Sequence, residues 1–374
     1  KNNKTHFFEI NFVEEINFIQ GRCMKKNLQT RYHGLDFCRS TFMILGIFYH
    51  VGLIYSTDND WRVLSTETSS LITKITNYLH LFRMEAFYLI SGFFFILALT
   101  KNKNNFLADR LKRVLIPLLF CGLFINPIMN FFSYNFSFSN NFKYILYGEW
   151  LGHLWFLGNL SLYFIISYLF RNTIKKAKNL NFLMIGLTAV PIISCAGLFI
   201  SKFIYKGNFL FFSIDKLLYF FCYFLLGCIA YQNINSFIKA LNYKTVILCT
   251  LSILILLNLR DYYFHLDSIG SKVITKYIST LLTISAIAFF YRIGSRESLL
   301  MGKISRASYT IYLLHQPLII VLYAFIFSKT PYPAWFEYSL IVTLTYFPIY
   351  YFHIRFVERI DKVKFLLNGF SGKK

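Results

Sequence analysis

The chain is a succession of apolar runs, each close to twenty residues long, separated by short polar segments. About 20 apolar residues are what an α-helix needs to cross the hydrocarbon core of a bilayer. Ten such runs can be read, at about 35–55, 79–100, 111–132, 151–171, 182–204, 214–231, 243–259, 272–292, 308–328 and 335–356. Lipid offers no water to backbone N–H and C=O groups, so a run of this kind closes into a helix. The expectation is an all-α fold, a polytopic transmembrane bundle of about ten helices. Charged residues make up only 15% of the chain, against about 25% in a soluble domain. Pro191, Pro317 and Pro348 fall within runs, which membrane helices tolerate where neighbours satisfy the freed carbonyls.

The net charge of +22 would suit nucleic acid if it were clustered. It is instead spread by orientation. Of the Lys and Arg residues, 27 fall on one alternating set of connecting segments and 10 on the other. Cytoplasmic loops carry such an excess, so both termini are expected in the cytoplasm. The partner of the charge is the bilayer rather than nucleic acid. Three parts are expected: a polar, basic cytoplasmic segment over residues 1–34, a membrane domain over 35–356 and a basic cytoplasmic tail over 357–374. Met24-Lys25-Lys26 offers a plausible start, and no cleavable signal peptide is evident. The seven cysteines have no CxxC spacing and lie mostly in apolar runs, as buried free thiols do. There is no P-loop, GxSxG or HExxH motif and no run of acidic ligands, so no metal and no bound cofactor is expected. The sequence carries no signal for oligomeric state.

Ionisable side chains at membrane depth default to functional hypotheses. In the first run, His50 follows Arg39 by eleven positions. That is almost three helical turns, so both lie on nearly one face, roughly 16 Å apart along the axis. The charge bias puts Arg39 near the cytoplasmic surface and His50 in the outer half. The bland readings are an interfacial Arg39 paired to Asp36, and a packed His50. In the second run His80 and Arg83 share a face one turn apart, with Glu85 at the same depth, while Ser91-Gly92 suits close helix packing. Arg110 and Arg113 open the third run, as topogenic charge or as an anion clamp. His153 opens the fourth run at the depth of His50 and His80. His315, beside Gln316 and Pro317, sits near mid-membrane, where it could simply satisfy a broken helix.

These residues carry a resemblance. Arg39-x10-His50, the Phe82-Arg83-Met84 run leading to Ser91-Gly92-Phe93, Arg110-x2-Arg113-x3-Pro117 and His153-Leu154-Trp155-Phe156-Leu157 together resemble the acyltransferase 3 family of integral membrane acyltransferases. The likeness extends from about residue 31 to about 360. It implies transfer of an acyl group, succinyl or acetyl, from acyl-CoA on the cytoplasmic side to a hydroxyl of a periplasmic or surface glycan, in a bacterial inner membrane. Succinyl-CoA or acetyl-CoA is then a substrate, and the glycan acceptor its counterpart. On this reading Arg39, Arg110 and Arg113 hold the CoA phosphates. His50, His153 and Arg83 carry the chemistry, and His80, Glu85 and His315 contact substrate. An O-antigen or surface-polysaccharide O-acetyltransferase is the nearest alternative. A multi-span transporter or flippase is the alternative of another class, and it lacks the inverted repeat such proteins often show.

Overall fold

A computed structural model describes residues 32–58, 61–101, 105–132, 148–201, 208–209, 212–263, 268–330 and 332–370. Lys1–His33 form one unit, of which only Tyr32 and His33 are described, and Gly34–Lys374 form a second. Most of the expected N-terminal segment therefore lies outside the described residues. In chain order the helices are α1 (His33–Ile54), α2 (Ser70–Lys101), α3 (Phe106–Phe120), α4 (Asn126–Phe131), α5 (Trp155–Leu169), α6 (Arg171–Lys176), α7 (Phe182–Leu187), α8 (Ala189–Ser201), α9 (Ile214–Gln232), α10 (Ile234–Ala240), α11 (Tyr243–Tyr263), α12 (Ile269–Ile293), α13 (Leu299–Leu322), α14 (Ala334–Phe352) and α15 (Asp361–Asn368). A two-residue antiparallel pairing, Asn208↔Ser213 and Phe209↔Phe212, precedes α9.

All ten apolar runs are helical over their described residues. Among the described residues, seven helical stretches are long and apolar enough to cross a bilayer alone, and an eighth is Lys216–Gln232 with Ile234–Ala240, bent by 109°. The remaining two runs are the short α5 and the pair α7 and α8. Lipid-facing surface is plain on α11. It packs on α12 through Cys249, Ile253, Ile278, Leu281 and Ile284 and exposes Ile247, Leu248, Leu251, Leu254 and Ile255. An exposed apolar stripe of that size has no place in water.

Prolines shape the spans. Pro191 falls in the first turn of α8, where its missing N–H would be unpaired in any case. Pro117, Pro317 and Pro348 sit inside α3, α13 and α14, and each of these helices ends in a wide π-type turn, at Cys121–Ile125, Tyr323–Phe327 and His353–Val357. The six described cysteines are free thiols, five of them buried.

The central contact is α2 against α9. A Cβ on Gly92 would lie 2.0 Å from the Phe224 carbonyl oxygen, and one on Gly227 would lie 1.8 Å from that of Leu89. The two backbones touch because neither helix carries a side chain there, as small residues allow in membrane bundles. This agrees with the packing role read for Ser91-Gly92. Gly227→Val is therefore expected to destabilise the bundle by roughly 1–3 kcal/mol through overpacking. Thermal unfolding of detergent-purified protein checks it, and an unshifted transition would refute the close crossing.

Candidate active site

The first level of the site is at the start of α1. Arg39, Arg110 and Arg113 line one cavity of about 420 Å³, together with Arg306, Tyr309, Lys364 and Phe370. Its walls come from α1, α2, α3, α5 and α13 and the chain beyond α14. The expected Asp36–Arg39 pair is present at 3.5 Å, and Arg39 lines the cavity as well. Glu358 is the one carboxylate among the described lining residues. It pairs with Arg306 at 2.8 Å, and that guanidinium holds its carboxyl below the usual value. The cavity is thus strongly cationic, a setting for phosphate.

The second level lies about three turns further along α1. A cavity of about 150 Å³ is lined by Tyr49, His50, His80, Arg83, His153, Trp155, Lys216, Tyr312 and His315, among others. Met43, Phe87 and Phe156 line both cavities, which therefore adjoin. The imidazoles converge: ring centroids are 5.2 Å apart for His50 and His315, 6.4 Å for His50 and His153, and 4.9 Å for His153 and His315. His50 also stacks on Trp61, with centroids 5.8 Å apart. His80 stacks on Tyr49 at 5.4 Å. Among the described residues no three metal-ligating side chains are grouped to hold an ion.

Hydrogen bonds fix two tautomers. Nδ1 of His315 faces the carbonyl oxygens of Tyr312 at 2.7 Å and Ile311 at 3.2 Å. Nε2 of His153 faces the Tyr312 carbonyl at 3.0 Å. A carbonyl only accepts, so each of those nitrogens carries the proton. The other nitrogens, Nε2 of His315 and Nδ1 of His153, are buried lone pairs with no hydrogen-bond partner among the described residues, and the same holds for Nδ1 of His50. His315 thus does satisfy its helix, and still presents a basic nitrogen. Arg83 is buried, its guanidinium 4.5 Å from the centre of the Tyr49 ring, and its Nε has no hydrogen-bond partner. No carboxylate pairs with it among the described residues.

Residues that the sequence reading did not single out hold this arrangement. Gly46 is one turn before His50: a Cβ there would lie 2.8 Å from Nη1 of Arg83 and 3.4 Å from Nε2 of His315. Its signal in the sequence is only the spacing of four. The turn carrying His153 bends at Gly152, with φ +50°. The His153 amide donates to Gln316 at 3.1 Å and the Tyr312 hydroxyl donates to the His153 carbonyl at 2.9 Å. Asn126, just past the wide turn after α3, donates to the carbonyls of Trp150 and Leu151 at 2.9 and 2.8 Å. Lys216, which counts in the sequence only as loop charge, lines the cavity with its ammonium 4.5 Å from the Trp155 ring centre.

Glu85 lies apart from the other candidate residues. The sequence groups it with the substrate-contacting residues by depth, but it lines neither cavity. Two positions past Arg83 is about 200° around a helix. Its Oε1 accepts from the Tyr219 hydroxyl at 2.7 Å and from Ser279 at 3.2 Å, on α9 and α12. Depth is legible from position in a run, whereas direction needs the neighbours.

Comparison with known proteins comes to the same region. The family profile described as "Acyltransferase domain" matches residues 32–354. Glucans biosynthesis protein C of Shigella dysenteriae serotype 1 (strain Sd197) is 29% identical over 332 residues, covering 79% of this chain and 84% of that protein. Glucans biosynthesis protein C of Escherichia coli (strain K12) is 28% identical over the same shares of the two chains. No solved structure matches the chain.

The glycine offers a test of the geometry. Gly46→Ala pushes Arg83 and His315 off their positions without touching the rest of the bundle. Turnover in the acyl transfer that the family carries is expected to fall on the order of 10²-fold, the scale of a displacement of about 1 Å at a reacting centre. Thermal unfolding should stay near that of the parent, and unchanged turnover would contradict the packing described.

Proposed function

The chain belongs to the acyltransferase 3 family and is a multi-pass membrane acyltransferase, and on that premise we propose that it carries an acyl group from cytoplasmic acyl-CoA to a hydroxyl of a glycan outside the bacterial inner membrane. One observation carries the reading: a cationic cavity and an imidazole-lined cavity adjoin across Met43, Phe87 and Phe156. A long donor with a phosphate-bearing head and a reactive thioester tail fits two such levels. Arg39, Arg110 and Arg113 keep the head, and the tail reaches His50.

The acceptor hydroxyl attacks the thioester carbonyl carbon. As the C–O bond forms, its proton passes to the imidazole of His50 as general base. Arg83, itself buried, stabilises the oxyanion of the tetrahedral intermediate, and burial strengthens the attraction. Collapse breaks the C–S bond, and the departing thiolate takes the proton back from the imidazolium. His153 and His315, each locked with one N–H on the Tyr312 carbonyl, offer fixed acceptors that orient the incoming hydroxyl.

The name of the relatives supports a glucan as acceptor. Arg83 and Lys216 line the outer cavity and no carboxylate among the described residues does, which favours an acyl group with a free carboxylate, succinyl over acetyl. A transporter would need none of the fixed lone pairs at this level.

His50→Ala is expected to lower transfer by about 10²–10⁴-fold, the worth of general-base help, with the protein still inserted and folded. The assay follows label from succinyl-CoA or acetyl-CoA into glucan with protein in proteoliposomes, and mass spectrometry of the product identifies the acyl group. Near-parent activity of His50→Ala would remove His50 as base. Glycan crossing the vesicle with no acylation would favour a transporter, and acetyl on a surface polysaccharide alone would replace the succinyl-glucan reading.

A further inference from the structure

The cationic cavity is closed on one side by chain that lies beyond the ten apolar runs. α15 ends at Gly369, which has φ +70°. A Cβ at Gly369 would lie 2.3 Å from the Lys112 carbonyl oxygen and 2.4 Å from the Arg113 Cα. Both the conformation and the space require glycine. The end of α15 is thus held directly on the backbone of the Arg110–Arg113 turn. Beyond the glycine, the Phe370 ring has the Arg113 guanidinium 4.7 Å and the Lys364 ammonium 5.5 Å from its centre. Lys364, Asn368 and Phe370 line the cavity with Arg39, Arg110 and Arg113. The Arg306–Glu358 pair ties the chain just before α15 to α13.

We infer that α15 and Phe370 complete a binding site for the nucleotide end of the acyl donor. This rests on the acyl-CoA reading above. The thioester belongs at His50, roughly three helical turns away along α1, so the opposite end of the donor lies here. That end carries phosphates and a purine. Lys364 adds a cation to the three arginines, in reach of the same phosphates. Phe370 is 40% exposed, and its uncovered surface offers a flat apolar platform for the base, as aromatic side chains do for nucleobases. Asn368 supplies donors and an acceptor for the base edge or the ribose. The basic tail, which reads from sequence as orientation charge, then doubles as the donor's outer wall.

The test titrates the full chain in detergent with coenzyme A and with pantetheine, which lacks the nucleotide. The parent protein is expected to prefer coenzyme A. Phe370→Ala and Lys364→Gln should each weaken coenzyme A binding by roughly ten-fold, and Gly369→Val, which lifts α15 off α3, by more. Pantetheine binding and the unfolding temperature of the two point variants on the cavity wall should stay as in the parent. Unchanged coenzyme A binding in all three variants overturns the inference and leaves the acyl-CoA reading standing. Equal losses of both ligands also overturn it, because they report a disturbed bundle. A parent protein that neither binds coenzyme A nor transfers from acyl-CoA removes the acyl-CoA reading and this inference with it.

Discussion

The backbone carbonyl of Tyr312 is the point on which the imidazole-lined level of the bundle depends. It accepts from Nε2 of His153 and Nδ1 of His315. Inside a membrane a ring N–H has no water to turn to, and leaving it unpaired costs several kcal/mol. Two such donors share one carbonyl, which has two lone pairs. That economy sets both tautomers and turns both remaining nitrogens into fixed acceptors. The hydroxyl of the same tyrosine and the neighbouring Gln316 hold the backbone at His153. One turn of α13 therefore positions a loop from a distant part of the sequence, and the site inherits its rigidity.

The second consequence concerns distance. Arg39 and His50 are on one helix, so their separation is set by helical rise rather than by loops. A substrate that must be held by its charged head while its tail reacts needs such a ruler. The charged head need not enter the hydrocarbon level, where an ion is expensive to bury. Only the uncharged arm would run past Met43, Phe87 and Phe156, which line both cavities. The proposed division of labour thus follows from what lipid penalises, and it explains why the cationic side chains gather at one end and most of the imidazoles at the other.

Much of this was legible in the sequence, and the rest was hidden for definite reasons. The apolar runs show the helices because backbone pairing in lipid leaves no alternative. Arg39 and His50 could be placed together because both lie on one unbroken helix, where face follows from spacing. His50, His80 and His153 could be assigned a common depth from the charge alternation alone, and His315 a place near mid-membrane. Direction between helices could not be read. Glu85 shares the depth of Arg83 and faces α9 and α12. Gly46 matters for what it lacks, and an absent methyl group next to Arg83 has no signature until both helices are seen. Lys216 and the residues of α15 read as topogenic charge, because a count of Lys and Arg carries no information about which cavity a side chain borders.

The placement of Glu85 bears on Arg83. A buried guanidinium with no carboxylate partner is destabilising by several kcal/mol, and a stacked tyrosine recovers only about 2 kcal/mol of that. A carboxylate is available two residues away. The fold keeps it on the far side of α2, bonded to Tyr219 and Ser279, with Lys276 over the Tyr219 ring at 3.8 Å. Residues two apart on a helix do not face each other, so Glu85 cannot meet Arg83 within α2, and a partner for that guanidinium would have to come from another helix. The separation leaves positive charge facing the imidazole-lined cavity, where an oxyanion or a carboxylate can meet it. An arginine with no carboxylate partner among the described residues, set on the Tyr49 ring, is thus better explained by a ligand that arrives than by the architecture that holds it.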